Sequence, residues 1–189
     1  KCSDKLLNRM NNYLKKGGSS EQMTEAYGLT ECLSAACISP FFAHRKGSTG
    51  LALPDNEIKI CKVGTTEEVP VGEDGEICVT GPTQMKGYYN NEEETQKVLK
   101  KHSDGKIWLH TGDLGVIDDE GFVYFKGRIK RMIITSGYNV YPAQLENILD
   151  AHEAVHMSCV IGVPDEYKMQ KVKAFVVPLP GIEPSDELK

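Results

Sequence analysis

The sequence has few of the features that mark secreted, membrane-spanning or nucleic-acid-binding proteins. Its six cysteines include no Cys-x-x-Cys pair and no other metal-ligand spacing, so neither a disulfide framework nor a zinc site is expected. No apolar run approaches about 18 residues, and no signal peptide is recognisable. Lys and Arg total 22 against 27 Asp and Glu, which argues against a nucleic-acid partner. We therefore expect a cytoplasmic protein with reduced thiols and no transmembrane segment.

The composition that is present is ordinary for a globular protein. Of 189 residues, 40% are hydrophobic and 26% are charged, which is enough to build one compact core or two small ones. Composition alone therefore bounds the class of protein without identifying its function.

The region between Asp113 and Arg128 has the pattern of a β-hairpin. Two apolar runs, 114–117 and 122–125, flank the turn-forming residues 118–121, which end in glycine. Because a hairpin returns the chain to where it began, Asp113 and Arg128 are predicted to lie on neighbouring strands, roughly 5 Å apart. The carboxylate can accept both hydroxyls of a ribose, and the guanidinium can bind ribose or phosphate oxygens. The alternative is an ordinary surface ion pair.

Four motifs, in their order and spacing, resemble the core motifs of the adenylate-forming superfamily. They are Tyr27–Glu31, Gly75–Pro82, His110–Asp113 and Gly127–Glu146. That superfamily includes acyl-CoA synthetases, luciferases and the adenylation domains of peptide synthetases. The resemblance implies an enzyme that converts a carboxylic acid and ATP into an acyl-adenylate and then transfers the acyl group to CoA. The segment Met85–Tyr89 is typical of fatty-acid-type members, so an acyl-CoA synthetase is preferred.

The predicted elements and the resemblance together indicate an α+β fold in several parts. Residues 1–44 would end the α/β part of a large N-terminal domain, and residues 45–127 would form a β-rich subdomain, a small distorted antiparallel barrel or sheet. Residues 128–130 would be a hinge, and residues 131–189 a truncated α+β C-terminal domain. The predicted helices are one capped by Ser3 or Asp4, one capped by Asn91 and one over 142–150.

The resemblance also implies roles for individual residues of the nucleotide site. The Thr30 hydroxyl would contact the α-phosphate, and Glu31 would hold Mg²⁺, a cation that prefers oxygen ligands. Tyr27 would lie against adenine, Asp113 would bind the ribose hydroxyls, and Arg128 would bind ribose or phosphate. Taken singly, each residue also has a simpler explanation: Tyr27 as a core residue, Thr30 as a helix cap and Glu31 as a solvated charge.

Three further residues belong, by resemblance, to the second half-reaction. Lys130 occupies the family's hinge position, where a polar side chain stays solvated while the backbone rotates. Ser136 and Gly137 would line the path of the CoA pantetheine arm, which a Cβ at Gly137 would narrow. A plain inter-strand loop at Lys130 and a simple Ser-Gly turn are the alternatives.

Two observations limit what this chain is expected to do. The segment Lys46–Gly50 looks like a phosphate-binding loop, but it follows the Tyr27 motif, whereas the family's loop precedes it, so we interpret it as structural. No Gly/Ser/Thr-rich loop ending in Pro-Lys precedes Tyr27, and no late Gly-Lys segment follows Val177. Two other functions stay open: a non-catalytic nucleotide-binding or interaction module, and a peptide-synthetase-type adenylation domain.

We predict that the 189-residue chain by itself does not adenylate carboxylic acids, because it lacks the loop and the lysine that contact the phosphates in the family. The measurement is pyrophosphate release from ATP in the presence of fatty acids. Release above the protein-free blank would contradict this prediction.

Overall fold

The computed structural model describes residues 4–182, which form two compact units. The first is Met23–Ile129; the second begins at Lys130, and the N-terminal segment up to Gln22 groups with it. Ser3, one of the two predicted helix caps, lies outside the described residues.

The helices are α1 Asp4–Lys16, α2 Glu92–Val98 and α3 Pro142–Asp150. The strands are β1 Ala26–Leu29, β2 Ser34–Ile38, β3 Leu51–Ala52, β4 Glu57–Cys61, β5 Gly75–Thr80, β6 Leu99–Lys101, β7 Ile107–Ile117, β8 Val123–Arg128, β9 Ile133–Thr135, β10 Tyr138–Val140, β11 Val155–Asp165 and β12 Met169–Pro178.

The first unit contains two antiparallel sheets. One has the order β1-β2-β3, and the other has the order β4-β5-β7-β6, with β8 also paired to β7. The long strand β7 pairs with β6 through its first residues and with β8 through its last, so both partners share one edge. The antiparallel α+β fold is confirmed. Of the two predicted forms, barrel or sheet, this unit has the open sheet, because neither of its sheets closes on itself within the described residues.

The core of the first unit lies around β5, the central strand. Its residues from Gly75 to Val79 are all buried, as expected for a strand covered on both faces. Ile77 and Val79 are completely buried and pack with Ile60 and Leu109 from the neighbouring strands. The apolar positions of three strands therefore form one continuous core that supports the polar ends of β7 and β8.

The predicted hairpin is confirmed. Strands β7 and β8 are antiparallel, and Asp113 lies directly opposite Arg128 in the register. The predicted cap of α2 is also confirmed, since the Asn91 side chain accepts a hydrogen bond from the Glu94 N–H at 3.2 Å. The Lys46–Gly50 segment is structural, as predicted, because the buried Ser48 hydroxyl donates to the Val123 carbonyl at 2.9 Å.

The second unit has a four-stranded antiparallel sheet of order β10-β9-β12-β11. Helix α3, with Pro142 at its first turn, packs on β11. The helix agrees with the predicted range 142–150. The sequence did not predict β10. No helix within residues 4–182 combines the length and the apolar character needed to cross a membrane.

We predict that Ile77→Ala lowers the free energy of unfolding by about 3 kcal/mol, because it leaves a cavity in the central strand. The matched control is Ile107→Ala, whose side chain is 53% exposed and whose loss should cost about 0.5 kcal/mol. Urea unfolding of both variants measures the difference. Equal losses in the two variants would contradict the assignment of Ile77 to the core.

Candidate nucleotide site

The Tyr27 motif is held in place by a close approach of two strands. A Cβ on Gly28 would lie 1.7 Å from the Ser34 carbonyl oxygen, so only glycine fits at this point of β1. The strand has a bulge between Tyr27 and Gly28 and then passes into a short 3-10 turn over Thr30–Cys32. The predicted phosphate-contacting residues therefore stand on a turn whose position is fixed by the pairing of β1 with β2.

Three of the predicted site residues meet at the end of the hairpin. The Tyr27 hydroxyl donates a hydrogen bond to Asp113 Oδ2 at 2.9 Å. The Arg128 Nε lies 3.3 Å from Asp113 Oδ1, and its side chain is 66% exposed, whereas that of Asp113 is 3% exposed. Oδ1 is buried and has no hydrogen bond of good geometry from the described residues. This carboxylate oxygen can therefore accept a further hydrogen bond, and the exposed Arg128 side chain beside it would have to shift before a ribose hydroxyl could reach it.

The environment of Asp113 disfavours its negative charge. Burial raises the pKa of the carboxyl above its ordinary value, and the nearby Glu76 and Glu31 raise it further. The hydrogen bond from Tyr27 and the charge of Arg128 act in the opposite direction but do not cancel the effect of burial. Carboxyls whose pKa is shifted by burial and by specific charged neighbours are common at binding and catalytic sites.

The ring of Tyr27 lies in the protein core. Its side chain is 7% exposed and stacks on Phe125, with the ring centroids 6.0 Å apart. In this structure the tyrosine supports Asp113 through its hydroxyl, and its place matches the simpler explanation of a core residue. A contact between its ring and a nucleobase stays a prediction.

Glu31 has a partner that the sequence did not predict. Tyr88 donates its hydroxyl to Glu31 Oε1 at 2.7 Å, and the Met85 N–H donates to the Glu31 carbonyl at 2.8 Å. The bond to Glu31 and partial burial raise the pKa of Tyr88 to about 12. The Met85–Tyr89 segment thus holds the predicted magnesium ligand. Thr30 is exposed, and its carbonyl accepts from the Leu33 N–H.

A bulge in β7 orients Asp113. Opposite Ile77 of β5, strand β7 places three residues, Thr111, Gly112 and Asp113. Gly112 has a φ of +72°, which favours glycine. The Thr111 hydroxyl donates to the Ile77 carbonyl at 2.7 Å and accepts from the Asp113 N–H at 3.1 Å. The Thr-Gly pair therefore sets the direction in which Asp113 leaves the strand.

Behind this bulge lies a buried polar cluster that sequence reasoning missed. Glu76 Oε1 accepts from the Gly112 N–H at 2.9 Å, and Glu76 Oε2 accepts from His110 Nδ1 at 2.8 Å. His102 Nε2 lies 2.9 Å from His110 Nε2. The two histidines are eight residues apart, and only the pairing of β6 with β7 brings them together. No alternating pattern marked these positions, because consecutive residues of β5 and of β7 at 108–110 are buried on both faces.

The same cluster has the ligand types of a metal site. Ligand atoms of Glu76, Cys78 and His110 all lie within 4.8 Å of one another. Both oxygens of Glu76 are, however, already occupied by protein donors. Burial, with the nearby Cys61 and Glu76, raises the pKa of the Cys78 thiol, which disfavours the thiolate that a metal needs. Hydrogen bonding therefore accounts for the arrangement.

The remaining predicted residues belong to the second unit. Lys130 is exposed. Ser136 and Gly137 are the two residues between β9 and β10, with φ values of +50° and +82°, as in the tight turns that favour glycine. A Cβ on Gly137 would meet no atom within 4 Å. Ser136 and Gly137 therefore form the simple turn that was the alternative to a CoA-binding role. Because Gly137 is exposed and has no side chain, the surface beside it is open.

We predict that Asp113→Asn raises the stability of the chain at pH 7. The raised pKa means that ionised Asp113 costs stability, and this cost grows as the pH rises through the folded-state pKa. The asparagine oxygen still accepts from Tyr27, while the lost ion pair to the exposed Arg128 matters little. The measurement is the urea concentration at the midpoint of unfolding, for wild type and Asp113→Asn, from pH 7 down toward the ordinary Asp pKa of 3.8. The stability advantage of the variant over wild type should shrink as the pH falls.

The matched control for this prediction is Asp119→Asn, which removes the same charge at an exposed turn position of the hairpin. It should leave the pH dependence of the midpoint unchanged. A lower midpoint for Asp113→Asn at every pH would contradict the prediction.

Comparison with known proteins agrees with this geometry. Residues 1–89 match the AMP-binding enzyme family, and residues 144–189 match the C-terminal domain of AMP-binding enzymes. The long-chain-fatty-acid–CoA ligase of Escherichia coli O6:H1 is 39% identical over 160 residues, which are 84% of this chain and 28% of that protein. The chain therefore spans less than a third of the length of this curated relative.

Solved structures that resemble this chain are also adenylate-forming enzymes. The crystal structure of ATP-bound MatB from Rhodopseudomonas palustris matches with a TM-score of 0.81 and 35% identity, over 95% of this chain and 35% of that one. The o-succinylbenzoate CoA synthetase of Bacillus subtilis, in complex with its acyl-adenylate intermediate, matches with a TM-score of 0.77 and 35% identity, over 93% of this chain and 35% of that one. With its ordered motifs and the Asp113 site, this chain belongs to the adenylate-forming superfamily of AMP-binding enzymes.

Proposed function

We propose that the protein containing this chain is an AMP-forming acyl-CoA synthetase that acts on a fatty acid or a similar carboxylic acid. The observation that carries the proposal is the meeting of Tyr27, Asp113 and Arg128, where a buried carboxylate oxygen is ion-paired to Arg128 but has no well-formed hydrogen bond. A ribose supplies two neighbouring hydroxyl donors, and the exposed Arg128 adds a positive charge beside them. The names of the relatives favour CoA as the acyl acceptor.

The chain's residues would divide the work of the first half-reaction between binding and charge neutralisation. Asp113 and Arg128 would hold the ribose and so fix the α-phosphate relative to the acid. The Thr30 hydroxyl, on its exposed turn, would donate to an α-phosphate oxygen as charge develops there. Glu31 would exchange its bond from Tyr88 for a magnesium ion. The cation would neutralise the phosphates during displacement of pyrophosphate.

The second half-reaction would use residues of the second unit. Lys130, exposed and next to the boundary between the two compact units, suits a hinge whose side chain stays solvated. The open surface at Gly137 suits the passage of the CoA arm. We keep the domain boundaries of the sequence analysis as part of this proposal, with the hinge at 128–130. The buried free thiols, Cys32, Cys37, Cys61 and Cys78, agree with a cytoplasmic location.

The test is ATP–pyrophosphate exchange and acyl-CoA formation by the full-length gene product that contains these 189 residues. We predict that Asp113→Ala lowers kcat/KM for ATP by about 100-fold, because two hydroxyls lose a charged acceptor. Gly137→Leu should leave exchange intact and slow acyl-CoA formation by about tenfold or more, because a side chain would enter the CoA path.

Gly105→Leu is the matched control for the glycine variant. Gly105 shares the φ of +82° and the open surroundings of Gly137, so both variants carry the same backbone strain. A full-length protein that exchanges no pyrophosphate with any carboxylic acid would favour a non-catalytic module. Transfer to a carrier protein, with none to CoA, would favour a peptide-synthetase-type adenylation domain.

A further inference from the structure

The cluster behind the β7 bulge is a continuous buried chain of hydrogen bonds. Glu76, His102 and His110 are 6%, 4% and 4% exposed. Burial raises the pKa of Glu76, but the bonds from His110 and Gly112 outweigh it and hold the pKa below its ordinary value. Glu76 is therefore an ionised carboxylate in the protein interior. Such a group is costly unless its acceptors are filled, and here both oxygens are filled.

The protonation of the two histidines follows from this carboxylate. A carboxylate only accepts, so His110 Nδ1–H donates to Glu76. In neutral His110 the Nε2 atom then accepts, and His102 Nε2–H donates to it. This leaves His102 Nδ1 as an unprotonated nitrogen, in agreement with the lack of a partner for that atom among the described residues. The chain thus has one direction, from His102 through His110 to Glu76.

Glu76 replaces a strand partner that the bulge removes. Because three residues of β7 oppose one residue of β5, the Gly112 N–H has no carbonyl opposite it in the ladder. Glu76 Oε1 accepts from this N–H instead. The residue that follows is Asp113, whose carboxylate must stand within reach of both Tyr27 and Arg128. The bulge and the ribose-facing oxygen are therefore linked through a single peptide unit.

We propose that Glu76, His110 and His102 form a positioning unit for the Asp113 carboxylate. Glu76 anchors the bulge, and the histidines fix the orientation of Glu76. The inference rests on the proposed nucleotide-binding function of Asp113, and it assigns the three buried residues an indirect part in ribose recognition. They act through Asp113 and touch no substrate. A displacement of about 1 Å at such a site is enough to weaken its interactions strongly.

The first variant is Glu76→Gln, which keeps the shape of the side chain but has one carbonyl oxygen. It can keep contacts with both the Gly112 N–H and His110 only if its amide N–H donates to His110 Nδ1. That reverses the hydrogen bonds between the histidines and leaves a buried His102 Nδ1–H with no acceptor among the described residues, which disfavours this arrangement. Hydrogen exchange of the Gly112 amide, measured by NMR on the 189-residue chain, should accelerate by about tenfold or more. The control Glu57→Gln removes the same charge from the exposed end of β4 and should leave this rate unchanged.

A second pair of variants separates positioning from simple packing. In His110→Asn the side-chain amide nitrogen lies near the position of the histidine Nδ1, so it can still donate to Glu76. In His110→Gln the amide nitrogen lies near the position of Nε2, so it cannot donate to Glu76. The asparagine variant should retain slow exchange at Gly112, and the glutamine variant should resemble Glu76→Gln. Fluorescence of Trp108, the single tryptophan, whose ring lies 5.8 Å from His102, verifies that each variant is folded.

The functional readout is ribose recognition. Wild type should bind AMP about tenfold or more tightly than 2′,3′-dideoxy-AMP in calorimetry, because Asp113 binds the hydroxyls. Glu76→Gln and His110→Gln should reduce this ratio to about threefold or less, while Glu57→Gln and His110→Asn keep it.

The outcomes distinguish the two proposals. If wild type binds no AMP, or binds AMP and 2′,3′-dideoxy-AMP equally, the proposed role of Asp113 is overturned. The hydrogen-exchange rates of the Gly112 amide then decide by themselves whether the cluster holds the bulge. Wild type that prefers AMP, with Glu76→Gln keeping both the preference and the slow exchange at Gly112, overturns the positioning unit. A preference lost equally in His110→Asn and His110→Gln also overturns it.

Discussion

The energetic constraint on which the site depends is the burial of the Asp113 carboxylate. An ionised carboxyl with almost no exposure is costly in a protein interior, and two partners only partly offset that cost here. One of these partners, Tyr27, belongs to the core, and the other, Arg128, lies mostly in solvent. Asp113 Oδ1 lies 3.3 Å from Arg128 Nε but has no hydrogen bond of good geometry from the described residues. Under the proposed function, this acceptor would serve a ligand hydroxyl, and its incomplete hydrogen bonding would be a stability cost of binding.

The rigidity needed to hold such a group comes from the sheet behind it. Strand β5 is buried on both faces, and β7 lies beside it with a bulge whose hydrogen bonds are made by Thr111 and Glu76. A bulge normally leaves backbone groups unpaired, and here side chains satisfy them. The same device that interrupts the ladder therefore directs Asp113 toward Tyr27 and Arg128.

The chain belongs to the adenylate-forming superfamily, and the function that we propose relates these local features to one reaction. The chain covers about a third of the length of the solved relatives it matches, and one of those is an ATP complex and another an acyl-adenylate complex. The site residues of the first unit agree with binding of the nucleotide, while the second unit carries Lys130 and Gly137. Tyr88 adds a feature outside the expected set, since it occupies the Glu31 carboxylate that we propose for magnesium.

The sequence by itself determined the elements that depend on residues close together in the chain. The hairpin, the Asn91 cap and the helix 142–150 were predictable because turn residues, caps and apolar runs act over a few residues. The register of the hairpin followed from the same signals, so the pairing of Asp113 with Arg128 was predictable too. Tertiary structure alone decided the open form of the sheet and the meeting of Glu76, His102 and His110. Those residues are brought together by strand pairing across distant parts of the chain, and the free energy of that pairing depends on which surfaces can be buried together, a property that no short stretch of sequence contains.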